Sequence, residues 1–350
     1  MKICRPYLVS LIFICFSLFS FGQQPDAAAF VKEGITLHDE GKYAEAIEKY
    51  KQALKLDPNN ENAAYELAFS LYSSKNGKDA IPYLEKLAKS PSKMSAGACD
   101  LLGSIYDDDH KPDKAIAYYK KGLAADNTYQ RLHYNLGIAY LRQNKYSEAE
   151  AYAVNALKLD PNHAGSHWLY AMINFNQNKK GPALIAFCNF LLLEPQTPRA
   201  QEAYPYLDKI FNAGITPGSG KTSYNLTLDA NSLNKTGTGS IEMSLPLAQL
   251  ADIELANKNI GTPVERLSNK LTSIFKIVGE LKNNSANNAF FWTFYAPYFD
   301  SLSHSNNMPA FTRIISLTAY KDENTKWLQE HENAITELNN WATSNQHNIN

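Results

Sequence analysis

A chain of 350 residues with 44% hydrophobic side chains is long enough for two domains with a sizeable core. Its 34 basic and 35 acidic residues leave a formal charge of -1, which argues against a broad electrostatic surface for nucleic acid or an anionic membrane. The first predicted element is an export signal over residues 1–22. Lys2 and Arg5 precede an apolar run from Tyr7 to Phe21, and Ser20-Phe21-Gly22 supplies small residues for cleavage after Gly22. An uncleaved anchor is the alternative, but the run is shorter than the ~20 residues a span requires. Phe13-Ile14-Cys15 lacks the small residue expected before a lipidated cysteine. No other stretch approaches membrane-spanning length.

Residues 27–60 read as two short amphipathic helices joined at Gly41. Phe30, Leu37, Tyr43, Ile47 and Tyr50 recur at helical spacing, Gly34, Ala46 and Ala53 are small where the helices cross, and Asp57-Pro58 ends the second helix. The same signals return down the chain. Ala46, Ala80, Ala115, Ala149 and Ala183 are separated by 34, 35, 34 and 34 residues, and Gly34, Ala68, Gly103, Gly137 and Ala171 keep step. The terminating proline recurs as Pro161 and Pro195. Five units therefore start at Ala27, Glu61, Ala96, Gln130 and Ala164, and the extra residue is expected in the loop around Pro91. The period and its small residues resemble the tetratricopeptide repeat (TPR) over residues 27–197. Leu87 and Phe190 depart from the pattern at its third small position, and Glu33 stands at a usually apolar one. The resemblance implies a mainly α fold, an α-solenoid of five helix pairs.

Beyond the signal, Cys99 and Cys188 are the only cysteines. They fall on the first helix of the third unit and the second helix of the fifth, too distant for a disulfide, and read as small packed thiols. Thr197-Pro198 opens one more amphipathic helix ending at Gly214, which fits the cap that a repeat array needs. Residues 23–214 are thus assigned to the array and residues 215–350 to a small, mostly helical C-terminal domain. In the latter, Ser223–Leu228 and Ser240–Leu245 alternate at period two and are expected to pair as a β-hairpin. Thr262-Pro263-Val264-Glu265 is a capping box for a helix to about Leu281. Further helices are expected over 287–304, kinked at Pro297, over 309–320 and over 323–341.

Several constellations have a plain structural reading. Gly218-Ser219-Gly220-Lys221-Thr222 lacks the first glycine of a phosphate-binding loop, since Ile215 stands there, and it follows a helix rather than a strand. His163 and His167 share a helix face at zinc-ligand spacing, but His167, like His133, occupies a packing position of the repeat. Asp107-Asp108-Asp109-His110 reads as a solvated acidic edge. Ser301, Ser303, His304 and Ser305 lack a nucleophile elbow and read as a polar helix end. The aromatic run 290–299 reads as core packing, with partner docking as the alternative. No cofactor, metal or catalytic group is expected.

The resemblance also implies which first-helix positions face the concave groove of the array. In the first two units these are Val31, Ile35, Tyr65, Phe69 and Tyr72. In the later three they are Asp100, Ser104, Asp107, Arg131, Tyr134, Ile138, Leu141, Arg142, Trp168, Met172 and Phe175. Tyr, Trp and Arg are side chains that anchor interfaces, although the C-terminal domain could fold back over the same surface. Val31 and Ile35 stand where a two-carboxylate clamp for acidic peptide tails has Lys and Asn, so an extended apolar segment is the better fit. The expected function is a non-catalytic scaffold or adaptor in a bacterial cell envelope, binding a peptide segment or partner domain. A structural subunit of an envelope assembly and an enzyme housed in residues 215–350 are the alternatives. The protein is expected to be periplasmic, outer-membrane-associated or extracellular.

Overall fold

A computed structural model describes residues 26–90, 92–219, 223–228, 237–282 and 289–347. The export signal, Pro91, and the end of the glycine-rich turn lie outside the described residues. Ten helices form five pairs at the expected period. The first helix of each pair (the A helix) is α1 (Ala27–Asp39), α3 (Glu61–Ser73), α5 (Met94–Asp108), α7 (Gln130–Arg142) and α9 (Ala164–Asn176). The second (B) helices are α2 (Tyr43–Leu56), α4 (Gly77–Lys89), α6 (Pro112–Ala125), α8 (Tyr146–Leu159) and α10 (Lys180–Leu193). The fold is therefore a TPR solenoid.

The turn between the two helices of each pair repeats as faithfully as the helices. Gly41, Lys75, His110, Asn144 and Asn178 all adopt left-handed backbone, with φ between 57° and 76°. The next residue closes the turn by donating its N–H to a carbonyl five residues back, as in Lys42 to Leu37 at 2.9 Å and Lys111 to Tyr106 at 2.8 Å. Only the first of the five positions is glycine, so the other four carry the cost of a side chain in that region. At the B-helix ends, Asp57, Asp126 and Asp160 accept from the backbone N–H two residues on, at 2.8–3.1 Å. Helix crossing explains the small residues. A Cβ on Gly34 would stand 2.5 Å from the Tyr50 ring, and Gly103 faces Tyr119 in the same way.

The described residues divide into two compact units, one ending at Met94 and the other starting at Ser95. In the first, α1 to α4 bury Ala46, Ile47, Tyr50 and Leu67 in a small shared core. In the second, α5 to α10 continue into α11 (Pro198–Phe211) and then the C-terminal elements. These are β1 (Ile215–Pro217), β2 (Tyr224–Leu226), α12 (Gly239–Asn257), α13 (Pro263–Lys282), a π-helical turn (Phe291–Tyr295), α14 (Ala296–Ser303), α15 (Met308–Ile315), α16 (Lys321–Glu330) and α17 (Glu332–Ser344). One hydrophobic cluster runs from Ala96 to Leu338 through residues on both sides of Gly214.

A two-stranded hairpin is present, but its strands differ from the expected pair. Antiparallel β1 and β2 join Ile215 to Leu226 and Pro217 to Tyr224. Ser240–Leu245 is instead helical, inside α12, where Ile241, Glu242, Leu245 and Pro246 are buried together. Those four positions span one face of a helix turn, and that burial outweighs the short period-two pattern. The distortion expected at Pro297 appears just before it, as the π-turn, and Pro297 sits in the first turn of α14, where its missing N–H is harmless. The expected last helix is two, broken at His331, and the capping box closes through Thr262 N–H to Glu265 Oε2 at 2.8 Å.

The C-terminal helices cover the end of the array. Helix α10 is apolar on every side, and residues 181–191 are all buried. Helices α12 and α15 and the π-turn pack against it, and the buried Glu242 accepts from Gly181 N–H at 2.8 Å at its start. The run 290–299 supplies core: Phe291, Trp292, Phe294, Tyr295, Tyr298 and Phe299 are buried. No helix of the described residues is long and apolar enough to cross a membrane.

Candidate functional site

In the first compact unit, Tyr65, Phe69, Tyr72 and Val31 of the A-helix face are half-buried and Ile35 is exposed. Phe69 stacks on His38 of α1 at 4.8 Å between ring centroids, and His38 Nδ1 meets Ser70 Oγ at 2.7 Å. This face is aromatic, and its rings are partly spent on joining α1 to α3.

In the second unit, α5, α7 and α9 carry the sequence-predicted residues. Asp100, expected to face a groove, is fully buried. Arg131 Nε donates to its Oδ2 at 2.5 Å and Asn135 to its Oδ1 at 2.7 Å. Burial pushes the Asp100 carboxyl up, while Arg131 and Asn135 pull it back. Asp107 pairs with Arg142 between the same two helices. Further along, Arg199 pairs with Glu194 and lies over the Phe190 ring, 5.4 Å from its centroid.

In all three pairs the arginine is the more exposed partner. Side-chain exposure is 46% against 0% for Arg131 and Asp100, 62% against 24% for Arg142 and Asp107, and 43% against 23% for Arg199 and Glu194. The carboxylates hold the guanidinium groups in place from below, and the face presents planar donors.

Between these arginines lie half-buried apolar side chains. Tyr134 packs edge-on to His163 at 5.0 Å, and Ile138, Leu141 and Met172 rest on the core with one side open. Burial raises the Tyr134 hydroxyl pKa and lowers that of His163, so both stay neutral near pH 7. Trp168 is more deeply engaged than the sequence suggests. It meets Phe187, Phe190 and Tyr206 edge-on at 5.3–6.2 Å, and Phe175 also meets Tyr206 at 4.9 Å. Tyr206 and Arg199 belong to α11 and were absent from the sequence-derived set. A signal for both existed: continuing the 34-residue register places Tyr206 after Ile138 and Met172, and Arg199 two steps after Arg131.

The remaining constellations are structural. His163 caps α9, accepting from Ser166 N–H at 3.1 Å. His167 is fully buried, donating through Nε2 to the Pro161 carbonyl at 2.8 Å and accepting from the Tyr295 hydroxyl at 2.7 Å. Ser303 Oγ and Asp300 both approach Nδ1 of His304, at 3.1 and 3.4 Å. A relay needs the two nitrogens of the ring on different partners. Cys99 and Cys188 are buried free thiols, and among the described residues no group of three acidic, His or Cys side chains could hold a metal ion.

Family models match three stretches: TPR repeat over residues 34–74, and tetratricopeptide repeat over residues 96–129 and 131–163. No curated protein matches. Among solved structures, MamA is 23% identical, covering 47% of this chain and 95% of its own, with a TM-score of 0.41. A thermophilic TPR protein of Thermus thermophilus is 19% identical, covering 52% of this chain and 98% of its own, with a TM-score of 0.43. YrrB, described as a TPR protein with an unusual peptide-binding site, is 18% identical, covering 52% of this chain and 94% of its own, with a TM-score of 0.40. The matches over 96–129 and 131–163 coincide with the third and fourth units marked out by the period and the left-handed turns, the match over 34–74 straddles the first two, and these units are tetratricopeptide repeats.

Proposed function

We propose that the protein is an exported, non-catalytic interaction scaffold of the bacterial cell envelope. Its A-helix face takes a peptide segment or a partner domain. The observation that carries this reading is the arrangement on α5, α7, α9 and α11. Tyr134, Ile138, Leu141 and Met172 offer apolar contact area among three arginines whose carboxylate partners are the more buried. Such a surface is fixed before a ligand arrives, so the ordering cost falls on the ligand. Export rests on the Lys2, Arg5 and Tyr7–Phe21 pattern.

Because Trp168 is packed against three rings, its removal would disturb the fold as well as the face. A cleaner test combines Tyr134→Ala with Arg142→Ala. Crosslinking capture from the native envelope should lose its specific partner, while far-UV circular dichroism stays that of the parent. Undiminished capture by the double variant would refute the assignment of the face.

A further inference from the structure

A cleft of about 650 Å³ opens elsewhere in the second unit. One wall is the turn before α9 and the C-terminal end of α10, and the other is built by α14, α15, α16 and α17. That volume lies within the range of small-molecule sites. Leu192, Tyr298, Leu317 and Leu338 line it from the core side. Leu193 and Ile335, also in the lining, remain 37% and 38% exposed.

The polar lining is unusual in kind. None of the lining side chains is Asp, Glu, Lys or Arg, in a chain where those residues make up 20%. Asn162, Gln196, Asn339 and Gln346 contribute carboxamides, and their side chains make no hydrogen bond to the described residues. His347 lies at one end, its ring 4.4 Å from that of Tyr298, with Nε2 3.2 Å from Asn189 Oδ1. Burial pushes the His347 pKa down to about 4, so the ring adds no charge at neutral pH.

Each feature narrows the ligand. An ionised group placed here would lose its hydration with no counter-charge to meet it. The four carboxamides stand on exposed residues at the rim, where the polar end of a ligand can reach them. We propose that this cleft binds an uncharged amphiphilic small molecule, an apolar acyl or aromatic body carrying a hydroxyl, ester or amide end. The apolar body lies along Leu192, Leu317 and Leu338, and the polar end meets the carboxamides. The cleft shares no lining residue with the A-helix face.

The test uses the purified protein and two dyes with one aromatic framework. Neutral N-phenyl-1-naphthylamine should bind saturably with enhanced fluorescence. Its sulfonated analogue, 1-anilinonaphthalene-8-sulfonate, should bind about tenfold or more weakly, because burying an unpaired charge is costly. Monolauroylglycerol should displace the neutral dye at roughly tenfold lower concentration than laurate, for the same reason. Ile335→Trp and Leu193→Trp fill the cleft from partly exposed positions and should each abolish the signal with circular dichroism unchanged. Absence of saturable binding would overturn the proposal. So would equal binding of the sulfonated dye, or a signal indifferent to both tryptophans.

Discussion

Arg131 and Asp100 form an ion pair between successive A helices in which the carboxylate is wholly buried and the guanidinium stays nearly half exposed. Removing the arginine strands a carboxylate that burial already pushes toward its neutral form. Arg131→Ala should therefore cost about 2 kcal/mol, below the figure for a fully buried pair because water screens half of it. A raised carboxyl pKa means that the folded state gains on protonation. The deficit should shrink as pH falls from 7 toward 4, and Asp100→Asn should rescue much of it. Urea unfolding of the three variants across that range tests both statements.

Glu242 and the buried histidines pull the pH dependence in opposite directions. Burial raises Glu242 from 4.5 to about 7. Its contribution is whole below the unfolded value and is lost as pH rises through about 7. Over that interval the loss amounts to roughly 3 kcal/mol. Glu242→Gln should flatten the fall in unfolding free energy between pH 5 and 8, and an unaltered slope would contradict this environment.

His167 and His347 behave in the reverse sense. Burial lowers them from 6.5 to about 3 and about 4. Their contribution is whole above 6.5 and is lost as pH falls through those values. The protein should lose stability steeply on acidification below pH 6, and His347→Gln should weaken that loss. Unfolding midpoints at pH 7, 5.5 and 4.5 provide the comparison.

Lys75 holds a left-handed conformation at φ 68°, where the first pair has Gly41. Its Cβ crowds the following carbonyl, at a cost of about 1 kcal/mol. Lys75→Gly should raise stability by up to that amount, despite the added freedom of the unfolded chain. A thermal melt that falls would show that the lysine has a compensating role.

Gly103 lies under the Tyr119 ring so closely that a methyl group would enter its van der Waals envelope. Gly103→Ala should destabilise by about 2 kcal/mol. Pairing it with Tyr119→Leu should recover part of the loss, and a double-mutant cycle measures the coupling.

The repeat was readable because each unit states its crossing point in small residues. Gly34, Ala68, Gly103, Gly137 and Ala171 could not be replaced by bulk without forcing the helices apart, so geometry left a periodic trace. The C-terminal half has no such redundancy. Ile241 and Leu245 suit either a strand face or a helix face, and only the burial of Glu242 and Pro246 beside them decides between the two. On the candidate face, residue type was legible but depth was not. Asp100 reads as surface, yet it lies beneath Arg131, because ion pairing between helices thirty residues apart leaves no local signature. Arg199 and Tyr206 lie on α11, whose sequence reads as a cap although it keeps the register of the A helices.

The buried circumference of α10 bears on how the gene could be shortened. Cutting after the eleventh helix would uncover Gly181, now against Ile241 and Glu242, and Asn189, now held by His347, and would turn part of an interior rod into a sticky exterior. The fifth hairpin should therefore need the helices that follow it, unlike the first two pairs, which have a core of their own.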